Sequence, residues 1–391
     1  MREPALDAHL YFGTARESLL TVDLDGLITS GMIDRTVGGS GLLRARRAGD
    51  VVAVGEQGNL TAAWFWHAGL AAPPTEPSRL RDALTRSQQE TYDRVKRGLS
   101  RRRPGVLLVL WDDAGTVNAL GVQIERTSLG QFRLAPLEVA RTDASVLRLR
   151  SGPDAPCLAA VEVAVFGVGA IGSEIAMLLA RSGVGRMVLV DRELLRPSNL
   201  SRHSASGRYV GKRKTEAMAA TIREALPDVR VDTVDGLLWR PDGIAAIAAD
   251  VALLVDATGN RAFTDMLSRI AALADVPLVA ASLHRGGRIA RIRVQATADQ
   301  PLWNRSPANG FPDVPADPGI APVLTWETGC GAPVNNAPPV AVAAAGALAT
   351  RVILDALSDR DRRDRDVFEV YEPIEDPRFA TPGLLTFTPS T

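Results

Sequence analysis

A glycine-rich stretch offers the first chemistry in this chain. Gly167, Gly169 and Gly172 follow the apolar run VEVAVF with the spacing Gly-x-Gly-x-x-Gly and lead into the segment GSEIAMLLARSG. Such a loop permits a tight turn and a close approach of the backbone to a ligand, and the amino terminus of the following helix stabilises phosphate charge. Asp191 ends the next apolar run, about 20 residues past the loop, where a carboxylate suits a ribose hydroxyl. Because NAD and ATP are both bound in this way, these residues leave the nucleotide open.

The polar residues that follow favour ATP. Asn199 and Arg202 lie in PSNLSRH, and Lys214 lies in GKRKTEA. Asp256 lies at the end of the apolar run in VDATGN, where we expect a strand-end carboxylate exposed to the site rather than packed in the core. A nicotinamide enzyme needs neither two cations near the phosphates nor a magnesium-binding carboxylate beside them. An adenylating enzyme needs all three, because negative charge gathers on the attacked α-phosphate while pyrophosphate leaves. The sequence therefore predicts ATP and Mg²⁺ as cofactors.

The combined pattern, GVGAIGS … VLVDRE … SNLSRH … GKRKTEA … LLVDATGN, resembles the ubiquitin-activating-type adenylyltransferases. These include the bacterial enzymes that activate sulfur carriers for molybdopterin and thiamine synthesis. The resemblance covers about Val161 to Leu357. It implies an α/β fold, a homodimer, and adenylation of the C-terminal carboxylate of a small ubiquitin-like or sulfur-carrier-like protein. It also implies roles for the matching residues: Asp191 binds ribose, Asn199 and Arg202 approach the phosphates, Lys214 contacts the triphosphate, and Asp256 holds Mg²⁺.

Cys330 is the candidate for a covalent step. It lies in TWETGCGAPVNNAP, inside the Pro-, Gly- and Asn-rich stretch 301–337, which we interpret as a functional crossover loop. The resembled family places a cysteine in the corresponding segment, which implies a thioester after adenylation and a conjugating enzyme as a further partner. A packed or incidental thiol is the competing interpretation, and it is the one we favour for Cys157. Two cysteines cannot supply the two Cys-x-x-Cys pairs of the family's structural zinc, so no zinc is predicted.

From Val161 onward, apolar runs alternate with helical segments, which predicts a doubly wound, Rossmann-like, mostly parallel sheet with its ligand at the carboxyl ends of the strands. The run GGRIARIRVQA predicts an added antiparallel strand. We expect the adenylation domain over 151–391 and a separate α+β domain over 1–150. The latter has no cysteine that could carry a thioester, and Trp64, Phe65 and Trp66 suit a core. We interpret it as a recruitment domain, similar to the extra modules of bacterial ubiquitin-like conjugation systems, some linked to antiphage defence.

Composition narrows the classes of partner. The 391 residues include 45 Lys+Arg and 45 Asp+Glu, so the formal net charge is zero, which argues against nucleic-acid or anionic-membrane binding. The first residues lack the pattern of a signal peptide, and the Ala-rich run VAVAAAGALATRVILDAL predicts a core helix rather than a membrane span. We therefore expect a cytoplasmic protein.

Three other functions stay open at this level. One is adenylation of a ribosomal peptide in antibiotic synthesis, without a thioester. The others are an NAD-dependent oxidoreductase and a non-catalytic scaffold that keeps the fold. The arginine that family members lend to the partner subunit is not recognisable, and Arg141, Arg148 and Arg150 are candidates for it.

Overall fold

The computed structural model describes residues 19–34, 39–48, 51–55, 60–67, 79–100, 103–113, 116–236, 240–296, 298–315 and 337–389. Cys330 and most of the predicted crossover loop lie outside these residues. The chain divides into two compact units, Met1–Leu147 and Arg148–Thr391.

The described part of the first unit forms a closed barrel of seven strands in the order β1-β3-β2-β4-β5-β6-β7. The strands are β1 Leu19–Val22, β2 Ser40–Ala48, β3 Val51–Val54, β4 Leu60–His67, β5 Gly105–Asp113, β6 Thr116–Arg126 and β7 Phe132–Arg141. β5 and β6 pair as an antiparallel hairpin, with Asp113 opposite Thr116. β1 closes the barrel by pairing in parallel with both β3 and β7.

Helices accompany the barrel: α1 Leu24–Thr29, α2 Arg86–Gly98 and α3 Ala144–Leu147. α2 begins at Arg86 because Thr85 and Gln88 form a capping box at its start. Alternation along β4 places Trp64 and Trp66 in the barrel interior and Phe65 beneath α2, and all three are buried. The expectation that these aromatic residues belong to a core is confirmed.

The second unit contains an eight-stranded sheet in the order β10-β9-β8-β11-β12-β13-β14-β15. Its strands are β8 Glu162–Phe166, β9 Arg186–Val190, β10 Arg230–Val234, β11 Leu253–Asp256, β12 Leu278–His284, β13 Ile289–Gln295, β14 Arg365–Val370 and β15 Gly383–Phe387. The first five strands in this order, β10, β9, β8, β11 and β12, are parallel to one another. β13 to β15 add an antiparallel part, of which the sequence predicted only the first strand.

Helices cover both faces of this sheet, as a doubly wound fold requires. They are α4 Ala155–Leu158, α5 Ala170–Arg181, α6 Lys214–Ala225, α7 Pro241–Asp250, α8 Arg261–Ala274 and α9 Pro339–Leu357. Apolar residues of α5, α6 and α9 form the core on one face, and those of α7 and α8 form the core on the other. The predicted α/β class with an added antiparallel part is confirmed.

α9 passes a length and composition test for a membrane span, with a mean hydropathy of 1.8 over its apolar window. Half of that window is buried inside the protein, and core helices pass the same test. Gly346 of α9 lies so close to α5 that a Cβ there would stand 2.7 Å from the Cβ of Glu174. α9 is therefore a packed helix of the sheet's core, as its Ala-rich composition predicted.

A buried ion-pair network holds the segment after β13 on the sheet. Arg305 donates from Nη1 to Asp366 at 2.6 Å, and its Nη2 donates to the Val294 carbonyl at 2.6 Å and to Asp364 at 3.2 Å. Arg291 donates to the other oxygen of Asp366 at 2.6 and 3.0 Å. The first 15 residues of the predicted irregular stretch are thus fixed to β13 and β14.

A short turn joins β12 to β13. His284 pairs with Ile289, and the connection contains three residues with positive φ: Arg285 at 56°, Gly286 at 65° and Gly287 at 94°. Because side chains alternate between faces, this register turns Ala280 and Ser282 of β12 and Arg291 and Arg293 of β13 to one face of the sheet.

Candidate active site at the glycine loop

The glycine loop connects β8 to α5, and its three glycines do different work. Gly167 has φ 83°, and a Cβ there would stand 2.8 Å from the Thr258 nitrogen in the loop after β11. A Cβ on Gly172 would stand 1.9 Å from the Gly167 oxygen, so these two glycines allow the turn itself. A Cβ on Gly169 would meet no described atom within 4 Å. Gly169 is the N-cap of α5, which has no side-chain cap, so this position opens onto space at the helix amino terminus.

Asp191 fixes the loop from β9. Its Oδ2 accepts a hydrogen bond from the Val168 N–H at 2.7 Å, and its Oδ1 accepts one from the Glu193 N–H at 2.8 Å. Burial raises the pKa of Asp191, while the nearby charge of Lys214 and the two backbone donors oppose that shift. The carboxylate therefore orients the loop, in addition to the ribose contact that the family resemblance implies.

His203 holds the same loop residue from the other side, and sequence reasoning missed it. Its Nε2 lies 2.9 Å from the Val168 oxygen, and its Nδ1 accepts from the Ala205 N–H at 3.0 Å. These partners assign the neutral Nε2–H tautomer. Burial lowers the pKa of His203 to about 4, so the ring is neutral at pH 7. The signal was its place directly after Arg202 in the motif PSNLSRH.

The segment before His203 carries two of the predicted phosphate residues. Asn199 ends the 3₁₀ turn Pro197–Asn199, and its Oδ1 accepts from the Arg196 N–H at 3.0 Å. Arg202 follows, half-buried, with its N–H donating to the Asn199 carbonyl at 2.9 Å. His203 therefore ties the segment that bears Asn199 and Arg202 to the glycine loop.

Lys214 begins α6 and is buried beside the loop. Its Nζ lies 2.5 Å from the Glu193 carboxylate, and Glu193 also donates its N–H to Asp191. The structure thus brings together Lys214, Asp191 and the glycine loop, which the sequence predicted, and adds Glu193, which it did not. The ion pair keeps the ammonium group in place at the site.

Asp256 corrects one expectation. We expected a strand-end carboxylate exposed to the site, but Asp256 is only 2% exposed. Its Oδ1 accepts from the Thr258 N–H at 2.9 Å and the Thr258 hydroxyl at 2.6 Å, and its Oδ2 accepts from the Thr264 hydroxyl at 2.5 Å. Burial raises the pKa of Asp256, and these hydrogen bonds oppose the shift. The carboxylate thus links β11 to α8 by a hydrogen bond, and it is also the candidate ligand for Mg²⁺.

A cavity of ≈ 370 Å³ lies at the carboxyl ends of β11 and β12. Asp256 and Gly259 line one side, and Ser282, Arg291 and Arg293 line another. The loop after β11 borders both this cavity and the glycine loop, since a Cβ on Gly167 would stand 2.8 Å from the Thr258 nitrogen while Gly259 lines the cavity. Two spaces suited to ligands therefore share one wall.

Residues 151–316 match the sequence model of the ThiF family. The chain carries a ThiF family domain. All the site residues above lie within this match, whereas Cys330 and α9 lie beyond it.

Several curated proteins resemble the ThiF domain. The ATP-dependent ubiquitin transferase-like protein Cap2 of Pseudomonas aeruginosa is 28% identical over 192 residues, 45% of this chain and 34% of that protein. The SAMP-activating enzyme E1 of Haloferax volcanii is 28% identical over 170 residues, 43% of this chain and 63% of its own. The molybdopterin-synthase adenylyltransferase of Escherichia coli is 32% identical over 129 residues, 32% and 51% of the two chains. The chain thus spans less than two thirds of each of these relatives.

Among solved structures, MccB of E. coli with MccA-N7isoASN superposes with a TM-score of 0.46 at 16% identity, covering 59% of this chain and 64% of that one. MccB of E. coli with ATP superposes with a TM-score of 0.43 at 15% identity, covering 59% and 63%.

The ThiF domain can supply one protein ligand to Mg²⁺. Within the described residues, no group of three or more His, Cys, Asp or Glu side chains converges as a metal site. Mg²⁺ is commonly held by one or two carboxylates together with substrate phosphates and water. Asp256 fits that donor set through Oδ2, which accepts one hydrogen bond and retains a lone pair.

Two of the arginines considered for a partner subunit are already engaged within the chain. Arg141 donates to the Val117 carbonyl at 3.1 Å and pairs with Asp25 at 3.3 Å. Arg148 pairs with Asp228 at 2.7 Å. Each would have to exchange these contacts to reach a second molecule.

Proposed function

We propose that the second unit is an ATP-dependent adenylyltransferase that activates a C-terminal carboxylate. One observation carries the proposal: Val168 of the glycine loop is held on its N–H by Asp191 and on its carbonyl by His203, while Gly169 at the start of α5 faces open space. The charge of Lys214 acts on Asp191 from nearby. An uncapped helix amino terminus with a nearby ammonium group suits the phosphates of a nucleotide.

In the proposed reaction, a carboxylate oxygen of the substrate attacks the α-phosphorus of ATP. A new acyl–phosphate bond forms as the bond to pyrophosphate breaks, giving an acyl-adenylate and pyrophosphate. Backbone N–H groups at the start of α5 and the ammonium group of Lys214 stabilise the charge that gathers on the phosphates. Arg202 acts on the same charge from the segment that His203 anchors. Asp256 would hold Mg²⁺, which, when bound, would neutralise part of the phosphate charge.

We propose a small ubiquitin-like or sulfur-carrier-like protein as the substrate. Support comes from the relatives, which are named as an activating enzyme for SAMP and an adenylyltransferase for molybdopterin synthase. A ribosomal peptide, the alternative that the sequence leaves open, is the second candidate substrate. The cavity beyond the loop after β11 has room for the end of either chain.

The remaining parts of the proposal rest on the sequence. The Cys330 thiolate attacks the acyl carbon of the adenylate, so that a thioester forms as the acyl–phosphate bond breaks and AMP leaves. The first unit recruits the carrier, and two copies of the chain form a homodimer. A conjugating enzyme then receives the acyl group. A reducing-agent-sensitive adduct between carrier and enzyme, lost in Cys330→Ala, is the expected evidence for the thioester; an adduct that persists in this variant would exclude Cys330.

The test of the adenylation step compares Lys214→Ala with Lys212→Ala, a change at an exposed lysine two residues earlier. We expect the first variant to lose ATP-dependent pyrophosphate exchange by about 100-fold, since charged hydrogen bonds in a water-excluded site contribute about 1.5–3 kcal/mol each. The control should exchange normally. Candidate carriers are small proteins ending in Gly-Gly that are encoded beside this gene. Binding of NAD without any thermal shift on ATP addition would reject the proposal in favour of an oxidoreductase.

A further inference from the structure

Arg293 occupies a distinctive place on the sheet. Cα pairing puts Asp256, Ala280, Arg293 and Asp366 in one row across β11, β12, β13 and β14. The backbones of Asp256 and Arg293 are separated by two strand spacings, about 10 Å. The residue between them is alanine, so its small side chain leaves the intervening space open to the cavity that both residues line.

The acidic neighbours of Arg293 are committed elsewhere. Asp366, its direct partner on β14, accepts hydrogen bonds from Arg291 and Arg305 on both of its oxygens. Asp256 accepts from Thr258 and Thr264. Among the residues that the structure describes, Arg293 makes neither a hydrogen bond nor an ion pair, although it is partly buried.

The guanidinium group nevertheless remains charged at neutral pH. Burial and the charge of Arg291 lower the pKa of Arg293 to about 10, while the charges of Asp366 and Asp256 oppose that shift, so the group is still charged at pH 7. A partly buried guanidinium group that makes no hydrogen bond within the described residues is unfavourable, and an anion that enters the cavity would relieve that condition. The guanidinium fork matches the two oxygens of a carboxylate better than a point charge does.

We propose that the cavity is the acyl-substrate pocket and that Arg293 binds the terminal carboxylate of the substrate chain. This assignment rests on the proposed adenylation, because that reaction requires a carboxylate beside the nucleotide. The shared wall after β11 places the cavity next to the glycine loop, with Gly259 facing the cavity and Thr258 against Gly167. Arg293 therefore orients the nucleophile from the cavity, and Lys214 acts on the phosphates from the side of the glycine loop.

The test uses small probes, because it must not depend on the identity of the carrier. Saturation-transfer NMR on the full chain measures the binding of three probes. They are glycylglycine, glycylglycinamide, and N-acetyl-glutamic acid α-amide, whose only carboxylate is in its side chain. We expect wild-type protein to bind glycylglycine at least about tenfold more tightly than its amide, since the amide cannot accept the charged fork. Arg293→Gln should abolish this preference, and Arg293→Lys should retain part of it.

Arg288→Gln is the matched control. Arg288 precedes β13, its Nε lies 3.2 Å from the carboxylate of Glu372, and it is not among the residues that line the cavity. It should bind glycylglycine like the wild type. Equal binding of glycylglycine and its amide, or an unchanged preference in Arg293→Gln, would overturn the proposal. A stronger response to the side-chain acid would assign the site to an internal acidic residue instead of the chain end.

ATP binding separates this inference from the proposed function. Arg293→Gln should bind ATP with the wild-type Kd, as measured by calorimetry, whereas loss of ATP affinity would place the guanidinium at the phosphates and overturn the substrate assignment. If wild-type protein prefers the free acid but binds no ATP, the pocket stands and the adenylation proposal fails.

Discussion

Gly169→Ala separates ligand binding from folding at the glycine loop. Gly169 has φ −83° and ψ −150°, which alanine adopts without strain, and an added Cβ meets no described atom within 4 Å. Alanine is a poorer N-cap than glycine by about 0.5–1 kcal/mol. It also restricts the unfolded chain, which stabilises the folded state by about 0.4–1 kcal/mol. The two effects oppose each other, so we expect the free energy of unfolding to change by about 0.5 kcal/mol or less.

ATP affinity should respond very differently. The new methyl group would occupy the space in front of α5 that we assign to the phosphates. Loss of one charge-assisted bond from a backbone N–H corresponds to about 1.5–3 kcal/mol, or about 10- to 150-fold in Kd. Urea unfolding measures the stability, and calorimetry measures the Kd for ATP.

Gly172→Ala is the contrasting variant, because its Cβ would stand 1.9 Å from the Gly167 oxygen. Forced backbone shifts of this kind destabilise by about 1–3 kcal/mol. Wild-type ATP affinity in a stable Gly169→Ala protein would refute the placement of the phosphates at this glycine.

Three further predictions concern buried groups. The pKa of His203 falls from its ordinary 6.5 to about 4 on folding, so the unfolded chain takes up the proton first as the pH drops. Urea titrations should therefore show that the free energy of unfolding of the wild type falls by up to about 3 kcal/mol between pH 6.5 and 4, and that this fall is absent in His203→Gln. Parallel pH profiles of the two proteins would contradict this prediction. Asp256→Ala should destabilise by about 1–3 kcal/mol by removing the acceptor of the Thr258 N–H and of the Thr258 and Thr264 hydroxyls, so Asp256→Asn is the better probe of magnesium-dependent exchange. Arg305→Met should lower the free energy of unfolding by about 3–5 kcal/mol, because it leaves buried Asp366 short of a partner, while exposed Arg363→Met should change it by less than about 0.5 kcal/mol. Equal stability of these two variants would show that the network is dispensable.

Much of the parallel sheet could be predicted because its evidence is local. Buried parallel strands are nearly continuous apolar runs, and β8, β9, β11 and β12 each contain such a run, whereas β10 at the edge of the sheet does not. The glycine loop was equally local, since Gly167 and Gly172 contact each other within six residues.

What the sequence missed depends on partners far along the chain. His203 reaches Val168 across 35 residues, and Arg291 reaches Asp366 across 75. Asp256 looked like an exposed strand end because its second threonine partner lies one turn into α8, where only the folded packing brings it back. The alternation of Arg291 and Arg293 with apolar residues was visible, yet nothing nearby indicated that one arginine would be paired and the other not.

The turn between β12 and β13 determines which face of the sheet each side chain of β13 occupies, so it matters whether the turn changes in length by an odd or an even number of residues. Inserting or deleting one residue there would shift β13 by one place against β12 and exchange its two faces. Ile292 and Val294, which lie in the apolar core, would then turn to the cavity, and the guanidinium groups of Arg291 and Arg293 would enter the core beneath α9. A change of two residues would preserve both faces. Natural or designed variants of this hairpin should therefore differ in length by even numbers, and the arginines that line the cavity are retained only under that rule.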